Sequence, residues 1–282
     1  MDKSLSFAAR ALLFSAGGLA VVAGPILFFF PEQTASYFAW TIKHPLTPVF
    51  MGANYLGGLG ALWTLALNRW SVARVQLPGI FVFAVTQLLA TLLHIPVFNW
   101  QHPVAWAWLF VYLTSPVAAL WVYLSMERSY GPPAAAGPGL PRAFAVTMYA
   151  FAAVSAGLGV ALFLWPFLPS AGGGGGAVPW WAWTLTPLTA HVAGGWYLAA
   201  AALQLTLARQ HEIGVMGPSL LGLMIVTGAQ LIGAVLHAGD FNGSPLFIAL
   251  YLLNAASVFL YAAYLFVRAR TALSVAGSRV SS

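Results

Sequence analysis

Residues 38–56 of the chain read FAWTIKHPLTPVFMGANYL, and residues 181–198 read WAWTLTPLTAHVAGGWYL. With one residue deleted, Ala, Trp, Thr, Pro, Leu, Thr, Gly, Tyr and Leu recur in the same order. A match of this length indicates that one ancestral unit was duplicated and fused. The period is far longer than that of a solenoid repeat, so the pattern predicts two domain-sized halves.

The match continues further along the chain. Gln87 corresponds to Gln230 and His94 corresponds to His237, with no gap between the two pairs. The repeat therefore predicts one four-helix unit over residues 1–128 and a second over residues 142–270. Residues 129–141, rich in Gly and Pro, form the predicted cytoplasmic linker, and residues 271–282 form a predicted cytoplasmic tail.

The composition is that of a membrane protein. Hydrophobic residues make up 61% of the chain and charged residues 6%, whereas a soluble domain has about 25% charged residues. A membrane-spanning helix needs about 20 mostly apolar residues. Eight segments satisfy this length, and they predict an all-α polytopic protein with four helices in each half. The segments are 11–30, 47–68, 76–97, 103–125, 143–165, 184–208, 216–238 and 245–267.

The basic residues predict the orientation. All but Lys43 fall in the N-terminus, in alternate loops or in the C-terminus. Because cytoplasmic loops carry the excess of Lys and Arg, both termini are predicted to be cytoplasmic, in a multi-pass protein of the cell (inner) membrane. Four helices per half make the two repeats parallel, related by an axis along the membrane normal. The net charge of +6 is thus a signal of topology, and no nucleic-acid partner is expected.

Small and aromatic residues predict how the helices pack. Gly57 and Gly58 lie in the second segment, and Gly194 and Gly195 lie in the sixth; small residues allow helix backbones to approach in lipid. These two helices are therefore predicted to form the seam within or between the halves. Six tryptophans are predicted to form an aromatic belt at the outer interface: Trp100, Trp106, Trp108, Trp180, Trp181 and Trp183.

Charged and nucleophilic groups are scarce. No Asp, Glu, Lys or Arg falls in the middle of a predicted helix, and the chain has no cysteine. Ion-coupled transporters mark their pathways with intramembrane charges, so proton-driven or sodium-driven transport is disfavoured. No catalytic motif such as Gly-x-Ser-x-Gly or HExxH occurs. The chain is therefore predicted not to be an enzyme.

Neutral polar residues recur on equivalent helices. Gln87 and His94 are seven residues apart and share a helix face, and so do Gln230 and His237. The first interpretation is that these faces pack against neighbouring helices and that their amides form hydrogen bonds across them. The alternative is a polar cavity in each half, open to the outer leaflet, in which these four residues are ligand candidates.

The remaining candidate site uses histidines near the outer surface. His191 lies in the sixth segment, where the first half has Val49, and His237 is followed by Asp240. Two imidazoles and a carboxylate at one depth are a possible metal site, and two imidazoles are a possible site for haem or another pigment. The simpler interpretation of His94 and His237 is a structural turn in which each imidazole bonds a loop carbonyl.

The sequence leaves three functions open. The first is a non-catalytic accessory or scaffold subunit of a larger membrane complex, suggested by the short soluble loops and the lack of a catalytic set. The second is a permease or binding protein for a neutral or lipophilic small molecule, with the two repeats as related half-sites. The third is a protein that binds haem, a pigment or a metal through His191, His237 and Asp240. The bilayer itself is the one partner that the composition requires.

Overall fold

The computed structural model describes the backbone of residues 3–131, 141–168 and 177–280, with side chains as far as residue 268. Most of the predicted linker, residues 132–140, lies outside the described residues, as do residues 281–282 of the predicted tail. The rest of that tail continues the last helix.

The described α-helices are α1 Phe7–Phe29, α2 Thr34–Tyr37, α3 Leu46–Leu56, α4 Leu59–Leu67, α5 Trp70–Leu93, α6 Pro103–Tyr130, α7 Arg142–Leu164, α8 Pro187–Ala208, α9 Gly217–Leu236 and α10 Pro245–Val280.

The prediction of an all-helical membrane protein is confirmed. Within the described ranges, β-structure is limited to one isolated bridge between Val178 and Leu185. Six helices are long and apolar enough to cross a membrane, because each contains a strongly apolar window with few charges. They are Phe7–Phe29, Trp70–Leu93, Pro103–Tyr130, Arg142–Phe167, Gly217–Leu236 and Pro245–Arg268.

Two predicted segments are not among these six. The segment 47–68 is split, because α3 ends at Leu56 and α4 begins at Leu59, with Gly57 and Gly58 between them. With 11 and 9 residues, each part is too short to cross a hydrocarbon core of about 30 Å alone. The segment 184–208 forms the unbroken helix α8, which is largely buried and includes polar residues such as Gln204.

The helices pack in the same pairs over residues 1–128 and over residues 142–270, which are called the first and the second half below. In the first half α1 packs on α3 and α4, and α5 packs on α6; in the second, α7 packs on α8, and α9 packs on α10. Between the halves, α3 and α4 contact α9, while α5 contacts α8. The seam therefore contains both helices predicted for it, together with α5 and α9.

Two glycines set the closest helix approaches within the halves. A Cβ added to Gly52 on α3 would lie 2.7 Å from both the Gly24 carbonyl oxygen and the Phe28 amide nitrogen of α1. A Cβ added to Gly194 on α8 would lie 2.8 Å from the Gly159 carbonyl oxygen of α7. Any larger residue would push the helix pairs apart. In lipid, helices are not held together by the hydrophobic effect, so close packing of their backbones stabilises these pairs instead.

Half of the predicted aromatic belt is part of a buried core, since Trp108, Trp181 and Trp183 are buried while Trp106 is 58% exposed. Trp181 and Trp183 are each 1% exposed and pack with Trp40, Phe98 and other rings at the outer end of the molecule. The indole nitrogen of Trp183 finds a partner inside the protein, whereas that of Trp181 has none. The Trp183 nitrogen donates to Thr47 Oγ1 across the seam at 2.9 Å, which joins the two halves at their outer ends.

Candidate functional site: a cavity between the halves

A half-open cavity of about 230 Å³ is bounded by α1, α3, α4, α5, α6, α8 and α9. Its wall is mostly apolar, and none of the described residues that line it is an Asp, Glu, Lys, Arg or His. A dry cavity of about 150 Å³ is enough to admit benzene. This space is therefore large enough for a small organic molecule, and its wall favours a neutral one.

Two tyrosines form the principal polar feature of the wall. The hydroxyl groups of Tyr55 on α3 and Tyr112 on α6 lie 2.7 Å apart, and both groups are fully buried. Aromatic rings surround them: the Phe83 and Trp196 ring centroids are 3.8 Å apart, and Tyr55 meets Trp196 edge-on at 5.2 Å. This end of the cavity offers both ring surfaces and a hydroxyl group to a guest.

The other polar side chains of the wall differ in whether their hydrogen bonds are satisfied. Asn54 Nδ2 donates to the Phe50 carbonyl at 2.8 Å, and Gln76 Nε2 donates to the Gly60 carbonyl at 3.3 Å. Ser219 is 2% exposed, and its Oγ has no hydrogen-bond partner. A buried hydroxyl group without a partner carries a desolvation cost that a guest molecule can offset.

The break between α3 and α4 forms part of the wall. The Gly57 amide donates to the Asn54 carbonyl at 3.2 Å, and the Gly58 amide donates to the Tyr55 carbonyl at 2.8 Å. Both glycines keep right-handed helical dihedral angles, so the α-helical hydrogen-bond pattern is replaced here by a tighter turn. A Cβ on Gly58 would lie 2.8 Å from Ala20 Cβ. Glycine is thus required at this position by close packing.

Equivalent positions of the two halves line the cavity. Two stretches of the sequence match, one that pairs Tyr55 with Tyr197 and one that pairs Gln87 with Gln230, each give four lining residues of the first half a partner that also lines the cavity. The pairs are Asn54 and Trp196, Gly57 and Ala199, Gly58 and Ala200, Ala61 and Leu203, Gln76 and Ser219, Gly79 and Gly222, Ile80 and Leu223, and Phe83 and Val226. Residues at matched positions of the two sequence ranges thus contribute to the same cavity, and α1 and α6 supply further lining residues.

The histidines lie away from the cavity, toward the outer end. His94 Nε2 is 2.8 Å from His191 Nδ1, which joins the end of α5 to α8 across the seam. His191 is 1% exposed, packs against the rings of Phe163 and Phe167, and its Nε2 has no hydrogen-bond partner. Burial lowers the pKa of His94, just beyond the end of α5, below its usual value of 6.5.

His237 has a different environment. Its Nδ1 lies 2.8 Å from Asp240 Oδ2, and this pair is partly exposed. His44 lies near Asp240 and Asn242; burial lowers the pKa of His44, and these two neighbours oppose the shift. Across the described ranges, no three His, Cys, Asp or Glu side chains lie close enough to hold a metal ion. His191, His237 and Asp240 are thus not gathered into one three-ligand site, and the structure gives His191 the partner His94.

The two predicted glutamines are buried in the seam region. Gln87 is 0% exposed and donates from Nε2 to the Val192 carbonyl at 3.2 Å, while its Oε1 has no partner. Gln230 is 6% exposed on α9. Neither glutamine lines the cavity, so the half-sites predicted around Gln87 with His94 and Gln230 with His237 do not coincide with it.

Sequence reasoning missed the residues that give the cavity its polarity. Tyr55, Tyr112 and Ser219 were not candidates, because hydroxyl groups on apolar helices are common and carry no spacing signal. One signal was present: the Gly57-Gly58 pair stands in the middle of an apolar segment where the second half has Ala199-Ala200. A helix break at that point would have placed a cavity beside Tyr55.

Comparison with known proteins does not add to this picture: no family model, no curated protein and no solved structure matches the chain.

Proposed function

We propose that this chain is an integral membrane protein that binds a neutral, lipophilic small molecule in the cavity between its halves and lets it pass through the membrane. One observation carries the proposal. A discontinuous helix, α3 and α4, borders a mostly apolar cavity at the junction of two equivalent units. Transporters built from repeats commonly place their substrate at such a junction, against interrupted helices.

The break makes physical sense only in such a place. Backbone whose α-helical hydrogen bonding is interrupted at membrane depth is tolerated where it is buried in protein or lines a cavity. The turn at Gly57 and Gly58 meets both conditions, since it packs against α1 and α9 and faces the cavity. The amides of the turn are satisfied locally, which leaves the side-chain hydroxyl groups to meet a guest.

The proposal includes eight membrane crossings in two duplicated halves. Counting α3 and α4 as one crossing and α8 as another adds two to the six long helices. Three features support duplication: the shared pairing of helices, the matched contacts of Gly52 and Gly194, and the eight pairs of lining residues. These relations are those of parallel repeats, whose axis runs along the membrane normal and through the cavity.

The orientation follows from the charges. The Arg74–Glu127 ion pair, at 2.7 Å, joins α5 and α6 at the end of the molecule that carries the basic loops. With that end in the cytoplasm, the protein lies in the cell membrane with both termini inside. The cavity then extends from mid-membrane toward the cytoplasmic side, because Gln76 and Ser219 lie near the starts of α5 and α9.

The other functions remain predictions. A lipid-facing helix surface and one that faces a partner subunit have similar apolar compositions, so the exposed side chains of α6 and α10 do not distinguish an accessory subunit from a lone protein. The absence of enzymatic activity and the binding of haem, a pigment or a metal also stay predictions, the last with His94 and His191 as the pair that the structure brings together.

Binding to purified protein in nanodiscs tests the proposal. The probe is 4-fluoro-α-methylstyrene, followed by fluorine NMR, with empty nanodiscs as the reference for partition into lipid. Ala200→Phe places a ring in the cavity and is expected to weaken binding at least about tenfold, which is about 1.4 kcal/mol.

The matched control is Ala153→Phe, which makes the same change on the exposed face of α7. It should bind the probe as the wild type does. Equal affinity of Ala200→Phe and wild type, in a variant with unchanged thermal stability, would overturn the proposal. Absence of any specific binding to the wild-type protein would overturn it as well.

A further inference from the structure

One hydroxyl proton of the tyrosine pair is not used in the hydrogen bond between the two residues. Each phenol has one proton to donate, and the pair shares a single hydrogen bond of 2.7 Å between Tyr55 and Tyr112. Whichever hydroxyl group donates in that bond, the proton of the other is left for a further acceptor. Both residues line the cavity, so this proton is available to a molecule inside it.

Other hydroxyl groups of the wall do not offer a proton so freely. Ser15 donates to the Ala11 carbonyl at 2.9 Å, and Ser115 donates to the Val111 carbonyl at 2.6 Å, as serines within helices commonly do. Ser219 differs, because it lies in the first turn of α9 and its Oγ has no partner. The cavity thus has two candidate anchors, the tyrosine pair and Ser219.

The aromatic rings favour the tyrosine pair. Phe83 and Trp196 lie beside it, with Phe83 meeting Tyr112 edge-on at 5.6 Å and Tyr55 meeting Trp196 at 5.2 Å. An aromatic guest gains most from edge-to-face contact with such rings. A ring held there would carry its oxygen toward the hydroxyl pair, whereas Ser219 lies at the start of α9.

Size and charge restrict the guest further. The cavity of about 230 Å³ exceeds the roughly 150 Å³ that admits benzene, so it accommodates a substituted single ring. An ionised group would be buried without a counter-charge, which costs far more than a ring contact returns.

We propose that the guest is a neutral ring compound with a hydrogen-bond-accepting oxygen. This oxygen accepts a hydrogen bond from whichever hydroxyl group of the Tyr55–Tyr112 pair does not donate within the pair. The inference rests on the proposed function. A free aromatic ketone and the head of a quinone-like lipid share this chemistry. The cavity selects such a compound over an equally large hydrocarbon because one more hydrogen bond forms.

Two probes of nearly the same shape test the inference. In 4-fluoroacetophenone a carbonyl oxygen replaces the methylene group of 4-fluoro-α-methylstyrene. Affinities for nanodisc-embedded protein, each corrected for partition into empty nanodiscs, should favour the ketone by roughly 2- to 10-fold, the range of one net hydrogen bond. A quinone carrying an isoprenoid tail, added as competitor, distinguishes the two sources: displacement of the ketone indicates a lipid head, and no displacement indicates a free ring compound.

Variants locate the donor. Tyr55→Phe and Tyr112→Phe each leave one hydroxyl group whose proton is now free, so either single variant should keep the preference for the ketone. The double variant Tyr55→Phe with Tyr112→Phe should bind the two probes equally while still binding the hydrocarbon. Ser219→Ala, which removes a hydroxyl group from the same wall, should keep the preference.

The outcomes separate this inference from the proposed function. Equal binding of both probes to the wild type would overturn the inference and leave the cavity as a hydrocarbon site. A preference that survives the double tyrosine variant, or that is lost in Ser219→Ala, would overturn the assignment to the tyrosines. Failure of both probes to bind the wild type would overturn the proposed function itself.

Discussion

The paired helices α3–α4 and α8 occupy matching places in the two halves, yet one is broken and the other is continuous. The first reads Asn-Tyr-Leu-Gly-Gly from Asn54, and the second reads Trp-Tyr-Leu-Ala-Ala from Trp196. Gly is about 1 kcal/mol less favourable than Ala inside a helix, so two glycines together weaken the helix locally. The difference teaches that a Gly-Gly pair in place of Ala-Ala accompanies the interruption of a helix beside the cavity.

Close packing against neighbouring helices also requires glycine at positions 57 and 58. Gly57 is close to Val226 of α9, and Gly58 is close to Ala16 and Ala20 of α1. The aligned Ala199 and Ala200 carry side chains in an unbroken helix. The interrupted helix is thus in closer contact with its neighbours at these two positions than a continuous helix with larger side chains would allow.

The largest expected effect comes from filling the break. Gly57→Leu with Gly58→Leu inserts two branched side chains against α1 and α9, and overpacking costs about 1–3 kcal/mol per site. We expect the apparent Tm in detergent, measured by intrinsic fluorescence, to fall by far more than for any other variant here. The matched control is Gly18→Leu with Gly157→Leu, where an added Cβ would meet no atom within 4 Å. A wild-type Tm for the Gly57 and Gly58 variant would show that the break is not a packed junction.

A smaller effect tests whether the two copies are equivalent elsewhere. Gly52→Ala and Gly194→Ala each place a Cβ against the backbone of the preceding helix, at 2.7 and 2.8 Å from a carbonyl oxygen. Backbone cannot rotate away, so each change should destabilise the protein by about 1–3 kcal/mol, and the two losses should be similar.

Thermal unfolding of the two alanine variants beside Gly157→Ala measures this equivalence. Gly157→Ala should be neutral or slightly stabilising, because the site is open and Ala favours the helix. A large loss at Gly52 with none at Gly194 would argue against two copies of one helix pair and would leave only the sequence match in favour of duplication.

Much of the fold could be predicted because its causes are local. Long apolar segments with few charges required membrane helices, and six of them are present. The break in α3–α4 could not be read with the same ease, since isolated glycines are frequent in membrane helices. The burial of Trp181 and Trp183 depends on Thr47 and the rings of the other half, which only the assembled seam reveals.

The candidate site was harder to predict than the fold. Gln87, His94, His191 and His237 attracted notice because polar residues are rare in this chain, yet the cavity lies elsewhere and is lined by Tyr55 among others. Tyrosine hydroxyl groups reveal their role only through the distance to a partner in another helix. No spacing rule within the sequence connects Tyr55 to Tyr112.

The histidines extend the comparison of α3 with α8 to the outer end. His191 of α8 stands where α3 has Val49, and it pairs with His94 at 2.8 Å. His237, the counterpart of His94, lies close to Asp240 instead. His94 of the first half thus pairs across the seam with His191 of the second, whereas His237 lies beside a carboxylate three residues away.

The smallest expected effect is a loss of stability in acid that depends on His94. Burial lowers the pKa of His94 below 6.5, so the unfolded chain binds a proton more readily than the folded protein does between these two values. The stabilising contribution is therefore present above about pH 6.5 and is lost as the pH falls toward the folded-state pKa. His94→Gln keeps a hydrogen-bonding side chain beside His191 but does not titrate, so the decrease in Tm between about pH 8 and about pH 5 should be smaller than in the wild type. Part of the decrease should remain, because burial also lowers the pKa of His44.

His211→Gln changes an exposed histidine in the loop between α8 and α9 and should leave the pH profile of the wild type unchanged. A His94→Gln profile that coincides with the wild-type profile would assign the acid sensitivity to other groups and would leave the histidine pair as a contact of packing alone.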